Sequence, residues 1–154
     1  MIAELTEISV FPVKSTAGRR LGSARVEPIG LAGDRRWMVV DPDGECVTAR
    51  THPRLLRIGA APTGEGLTLL AGGEEVPVAV PTGPVLEVTV HGRPLHGIPA
   101  APEVNEWVGE VVGRQGLRLV HLGRPRALNP AHSRPGDATA FADAYPVTLA
   151  SLAS

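Results

Sequence analysis

The strongest constraint on this chain is its punctuation. Eighteen glycines and 15 prolines are scattered between short apolar runs and never gather into a low-complexity block. The backbone is thereby cut into pieces that suit strands joined by turns far better than long helices. Asp41-Pro42-Asp43-Gly44-Glu45 shows how this works. Proline presets φ at one turn residue, glycine accepts positive φ at another, and Val40 and Val47 supply apolar arms on either side. A β-hairpin is predicted there. Strands are also predicted over residues 5–13, where Leu5, Ile8, Val10 and Val13 alternate imperfectly, and over 36–40, 55–60, 67–70, 76–80, 85–91, 94–97, 117–122 and 147–150.

One segment has a different period. Val104, Trp107, Val108, Val111 and Val112 fall at i, i+3, i+4, i+7 and i+8, Pro102 suits a first helical turn, and Gly113 suits a stop. A helix is predicted over 102–112. The expected fold is therefore mainly β: a barrel-like unit, β-rich over residues 1 to about 97, with one helix packed on it, the whole spanning 1–113. A second unit is expected to start near 114 and to be represented over 114–154 only by its edge. Residues 123–140 read as a polar loop, and no repeat of fixed period is visible.

Charge and residue usage exclude several functions. With 15 basic and 16 acidic residues and a formal charge of −1, the chain lacks the field that holds nucleic acid or an anionic membrane. No apolar run reaches the roughly 20 residues of a membrane-spanning helix, and residues 1–7 lack the basic start and apolar middle of a secretion signal. The single cysteine, Cys46, excludes an intrachain disulfide and a cysteine cluster, which fits a reducing cytoplasm. His52, His91, His96, His121 and His132 show no zinc-site spacing. Hydrolase-elbow and phosphate-loop motifs are missing, and Gly113-Arg114-Gln115-Gly116 is too short for a dinucleotide fingerprint.

The residues suited to chemistry are mostly cationic. Lys14 and Ser15 follow Phe11-Pro12-Val13 and put an ammonium and a hydroxyl together at a strand end, suited to a phosphate oxygen or to a solvated turn. Arg35, after Gly33-Asp34, carries a guanidinium matched to bidentate anion contacts; its alternative role is a pair with Asp34. Strand alternation would turn Arg35 and Arg36 to opposite faces, so at most one of them should reach a site. Arg50 either contacts a ligand or braces Asp34 or Asp41, and bracing is the expectation. Cys46 reads as a small half-buried core residue. Arg118, Arg124, Arg126, His132 and Arg134 form a local basic cluster in the sequence, either a solvated loop or an anion contact.

Taken in order, Phe11-Pro12-Val13-Lys14-Ser15, Gly30-Leu31-Ala32-Gly33-Asp34-Arg35-Arg36-Trp37-Met38-Val39-Val40-Asp41, Thr48-Ala49-Arg50 and Phe141-Ala142-Asp143-Ala144-Tyr145-Pro146 through Ser151-Leu152-Ala153-Ser154 resemble the MOSC family, named for the C-terminal domain of molybdenum cofactor sulfurase. The resemblance covers nearly the whole chain. It implies an N-terminal β-barrel followed by the truncated opening of the MOSC domain, an α+β, barrel-containing unit. It also implies that Lys14, Ser15 and Arg35 meet the phosphate end of molybdopterin, with Arg36 left in solvent, and carries weaker implications for Arg50 and for Ser151 at the start of a helix over the cofactor. In the family's oxidoreductase branch the metal is held by a cysteine in the C-terminal half, so this chain alone would not be active. The longer protein would be a molybdenum-cofactor oxidoreductase that reduces N-hydroxylated small molecules with electrons from a reductase or iron–sulfur partner. Pyridoxal phosphate binding is a further family-wide property. A non-catalytic anion- or partner-binding barrel stays open as an alternative, as does sulfur carriage or cofactor handling. An exposed, self-associating apolar edge is expected at Val147-Thr148-Leu149-Ala150.

Overall fold

The computed structural model describes residues 4–151. Residues 1–3 of the stretch read for a signal, and Ser154, lie outside that range. In chain order the elements are β1 (Ile8–Val10), β2 (Arg19–Leu21), β3 (Val26–Glu27), β4 (Gly30–Leu31), β5 (Trp37–Val40), a 3-10 turn (Pro53–Arg57), β6 (Gly59–Pro62), β7 (Gly66–Ala71), β8 (Glu74–Ala79), β9 (Leu86–Val90), β10 (Arg93–Pro99), α1 (Pro102–Val112), β11 (Arg118–Leu122), β12 (Arg126–Ala127) and β13 (Ala138–Thr139). The fold is mainly β, with one α-helix among the described residues, as expected.

Its central sheet runs β5-β11-β10-β9, every pair antiparallel, with Met38 opposite Val120 and Leu95 opposite Val88. The Asp41–Glu45 turn then curls it. Gly44 takes φ 86°, the Asp41 N–H donates to Glu45 O at 2.9 Å, and the returning arm meets both outer strands. The Val47 N–H donates to Val39 O of β5 at 2.9 Å, while the Cys46 N–H donates to Thr89 O of β9 at 2.9 Å. One short segment thus occupies the gap between the first and last strands, which is how a small barrel removes its edges.

The four consecutive apolar residues of β5 follow from that geometry. Both faces of the strand are buried, so alternation disappears from the sequence. Trp37 and Val39 face the larger core with Leu55, Leu69, Val108 and Leu119; Met38 and Val40 face a second core with Val88, Leu95, Val120 and Phe141. The three-stranded sheet β6-β7-β8 closes the larger core, through Ala60, Leu67, Leu69 and Val78.

The helix spans the predicted residues. Val104, Val108 and Val112 form its buried stripe, with Trp107 and Val111 flanking it. Gly113 ends it at φ 79°, a left-handed conformation that costs glycine little. Asn105 ties it to the barrel: Nδ2 donates to Ala100 O at 3.1 Å, and Oδ1 accepts the Leu119 N–H at 2.8 Å.

Several local expectations are corrected. Residues 55–60 do not form one strand: Pro53 starts a 3-10 turn that buries Leu55 and leads to Ile58, and extended structure begins at Gly59. A strand and a tight turn bury the same pair of apolar residues, so their pattern did not separate the two. Regular pairing near the N-terminus contracts from 5–13 to Ile8–Val10, because residues 11–14 leave β2 and run along 35–37 instead, with the Lys14 N–H donating to Trp37 O at 2.9 Å. The polar loop 123–140 contains a small ladder, Arg126 opposite Thr139. Residues 147–150 are not a strand: among the described residues nothing pairs with them, and Leu149 is 86% exposed. Their exposure is as expected.

Candidate functional site

The site is built on the turn before β5. Gly33 (φ 76°) and Arg35 (φ 49°) are both left-handed, so the chain doubles back and brings Asp34 under Phe11. Asp34 is 5% exposed. Its Oδ1 accepts the Phe11 N–H at 2.7 Å and its Oδ2 accepts Arg35 Nη1 at 2.7 Å. The guanidinium carbon of Arg35 lies 5.6 Å from the centre of the Phe11 ring, within cation–π range. Phe11 in turn fills the space over Gly18, where an added Cβ would come within 2.6 Å of the ring. Arginine is therefore held in three ways: by a carboxylate, by an aromatic face, and by its own backbone, whose N–H donates to Phe11 O and whose carbonyl accepts the Phe141 N–H.

Arg35 lines a cleft of about 380 Å³ with Ser9, Phe11, Pro146, Thr148 and Ser151. Gly30, at φ 122°, lets the covering segment approach, because an added Cβ would stand 2.8 Å from Pro146 O. Two of the predicted residues, Arg35 and Ser151, thus meet at one cleft. A larger hollow of about 900 Å³ at the C-terminal end of α1 contains none of the five predicted site residues.

Lys14 and Ser15 do not line the cleft. Lys14 is 4% exposed, and its Nζ lies 2.7 Å from Asp143 Oδ1, which also meets His91 Nε2 at 3.2 Å. Partial burial pulls the Asp143 carboxyl up, but Lys14 and His91 outweigh it, and its pKa falls below the ordinary carboxylate value. Ser15 is half-buried at φ 64° in the turn between β1 and β2. Arg50 braces neither aspartate. It is exposed and has no ion pair among the described residues, because Arg35 already holds Asp34, while Asp41 faces Arg114 at 3.6 Å and accepts the N–H groups of its own turn.

Arg36 is not in solvent. It donates to Glu27 at 2.8 Å and to Asp34 O at 3.1 Å, with its side chain 14% exposed. The two arginines do part, Arg35 to the cleft and Arg36 to a separate hollow, but Glu27 and the Asp34 carbonyl take the second guanidinium out of solvent. Nor do the basic residues of 118–134 gather in space: Arg118 turns to the Asp41 and Pro42 carbonyls, and Arg126 to those of Ala142, Asp143 and Ala144. Asp143 was not singled out from the sequence, since its partner is 129 positions away.

Cys46 is half-buried beside the second core, and desolvation pushes its thiol pKa up to about 12. A thiolate is the reactive form of cysteine. Native protein at pH 8 is therefore expected to react with an aromatic disulfide reagent at least about 100-fold more slowly than the denatured chain; comparable rates would show the thiol to be accessible and ionised. Among the described residues no group of three or more His, Cys, Asp or Glu could hold a metal, and no helix is long and apolar enough to cross a membrane.

Comparison with known proteins places this chain in a family. Mitochondrial amidoxime-reducing component 1 of Mus musculus is 31% identical over 166 residues, covering 99% of this chain and 49% of that protein. The corresponding protein of Homo sapiens matches at 31% over the same shares. Molybdenum cofactor sulfurase of Danio rerio is 33% identical over 146 residues, covering 86% of this chain and 17% of that protein. The chain thus spans about half the length of the amidoxime-reducing components it matches. The family model described as the MOSC N-terminal beta barrel domain matches residues 2–115, and the chain belongs to that family.

Proposed function

We propose that this chain is the N-terminal portion of a molybdenum-cofactor-binding oxidoreductase that acts on N-hydroxylated small molecules, with residues from about 114 onward opening the next domain and lending their first strand, β11, to the central sheet. The observation that carries the reading is Arg35 at the wall of a 380 Å³ cleft roofed by residues 146–151. The relatives' names, an amidoxime-reducing component and a molybdenum cofactor sulfurase, support the same chemistry.

The cleft fits the phosphate end of such a cofactor. Asp34 engages one guanidinium nitrogen of Arg35, which leaves further N–H donors of a planar fork for phosphate oxygens. Ser9, Thr148 and Ser151 add hydroxyls on the same walls, which also carry the carboxylates of Asp34 and of Glu7, the latter accepting the Ser9 hydroxyl at 3.1 Å. When bound, the molybdenum–pterin group supplies the redox chemistry. The part of this chain is to bind and orient: Phe11 and Asp34 fix the guanidinium, and Pro146 to Ser151 cover the ligand. Lys14, which is held by Asp143, and Ser15 and Arg50 do not line this cleft, and the reading asks nothing of them. A separate reductase or iron–sulfur protein supplies electrons, in a reducing, cytoplasmic setting. Sulfur carriage is the weaker reading, since the one thiol has its pKa raised to about 12.

Equilibrium binding of molybdopterin to the purified chain tests this. Saturable binding is expected, with pyridoxal phosphate as a weaker competitor through its phosphate alone. Arg35→Ala is expected to weaken molybdopterin at least about tenfold, the value of a charge-assisted hydrogen bond or more. A folded chain that binds no molybdopterin, or an Arg35→Ala variant that binds it equally well, would reject the reading.

A further inference from the structure

A second pocket, of about 110 Å³, lies beside the Lys14–Asp143 pair and shares no lining residue with the Arg35 cleft. Its apolar floor includes Val90 and Leu95, and its polar walls are His91, Arg93, Arg126 and Asp143. The tight turn between β9 and β10 puts the first two there: His91 (φ 51°) and Gly92 (φ 73°) are both left-handed, and Arg93 comes directly opposite Val90. Arg126 arrives from the other side, held by the carbonyls of Ala142 at 3.2 Å and Ala144 at 3.1 Å, with Asp143 O at 3.4 Å.

Two guanidinium groups therefore line one small pocket. Among the described residues neither Arg93 nor Arg126 has a carboxylate ion-pair partner. The one carboxylate on the wall, Asp143, is engaged by Lys14 at 2.7 Å and by His91 at 3.2 Å. Burial first, and then the nearby charge of Arg93, lowers the pKa of Arg126, and Asp143 offsets this only in part. Like charges held together around a concave space, with one carboxylate that Lys14 and His91 already share, are relieved by an anion. Arginine's planar fork matches the spacing of oxygens on a tetrahedral oxyanion.

We propose that His91, Arg93 and Arg126 form a binding site for a small tetrahedral oxyanion, inorganic phosphate or sulfate. Size selects this class. Pockets for drug-sized organic ligands run to roughly 300–1,000 Å³, so 110 Å³ admits the anion and excludes a pterin or a nucleoside. The site stands apart from the cofactor reading, since it uses none of Arg35, Ser15 or Ser151.

The test is titration of the full chain with inorganic phosphate, and separately with sulfate, followed residue by residue through backbone amide NMR shifts. Saturable shifts are expected at residues 91–93, 126–127 and 142–144 with both anions. Arg93→Glu is the informative variant: Arg93 is exposed, with no protein partner to lose, so the fold is kept, and binding at these residues is expected to weaken by at least about tenfold. Arg35→Gln is expected to leave these shifts unchanged. The proposal is overturned if residues 91–93 and 126–127 do not respond, if Arg93→Glu responds like the parent, or if Arg35→Gln abolishes the response. The last result would mean that the anion sits in the other cleft.

Discussion

Asp34→Ala is expected to lower the unfolding free energy by about 3 kcal/mol and to weaken ligand binding at the Arg35 cleft in the same variant. Two separate losses make up the stability change. The Phe11 N–H, which now donates to Asp34 Oδ1 at 2.7 Å, is left without its acceptor, at a cost of about 1–3 kcal/mol for a buried donor. The Arg35 guanidinium loses the carboxylate 2.7 Å from its Nη1. Breaking a fully buried ion pair costs about 3–5 kcal/mol, and the figure is reduced here because the Arg35 side chain is 24% exposed. Asp34→Asn separates the two terms: the amide oxygen still accepts from Phe11, while the charge is gone, so about half the loss should return. Urea unfolding of the three proteins provides the measurement. An alanine variant within about 0.5 kcal/mol of the parent would show that Asp34 does not hold the turn.

Phe141→Ala is expected to cost about 3–5 kcal/mol, the range for removing a buried aromatic ring. Phe141 is 0% exposed and packs in the second core with Met38, Val40, Val88, Val90, Leu95 and Val120. Its backbone N–H donates to Arg35 O at 3.1 Å, and Asp143, two residues on, pairs with Lys14. One side chain therefore anchors the segment that carries Ala142, Asp143 and the approach to Pro146. In addition to the thermal or urea shift, amide exchange over 141–146 should quicken more than in the α1 helix, which rests on the other core. Phe141→Leu, which refills most of the volume, should recover at least half of the stability. Equal quickening in both regions would mean that the two cores open together.

Much of the fold could be read directly. The helix over 102–112 carried its own period, a proline at its start and a glycine at its end, all within 12 residues. The turn at 41–45 was as local. Segments whose identity depends on a partner were read less well. Arg19–Leu21 and Val26–Glu27 are too short and too polar to show a period, yet they are strands because β1 and β4 lie beside them. Residues 147–150 have the composition of a strand and lack a partner among the described residues, so they remain unpaired.

The candidate site divides along the same line. Residue chemistry left Arg35 open between an anion and Asp34, and the resemblance pointed to the anion; in the structure it pairs with Asp34 at 2.7 Å and also lines a cleft with Ser151. Lys14 was expected to face a ligand with Ser15, and its ammonium instead meets a carboxylate 129 positions away. By itself, the sequence determined the β-rich class, the helix, the central turn and the supply of cations near turns, because each depends on neighbouring residues and on backbone preference. Only the tertiary structure decided which cation meets which anion, which carbonyls Arg126 caps, and which basic residues share a pocket. Those outcomes depend on desolvation and on distances across the barrel, and chain neighbours carry no record of either.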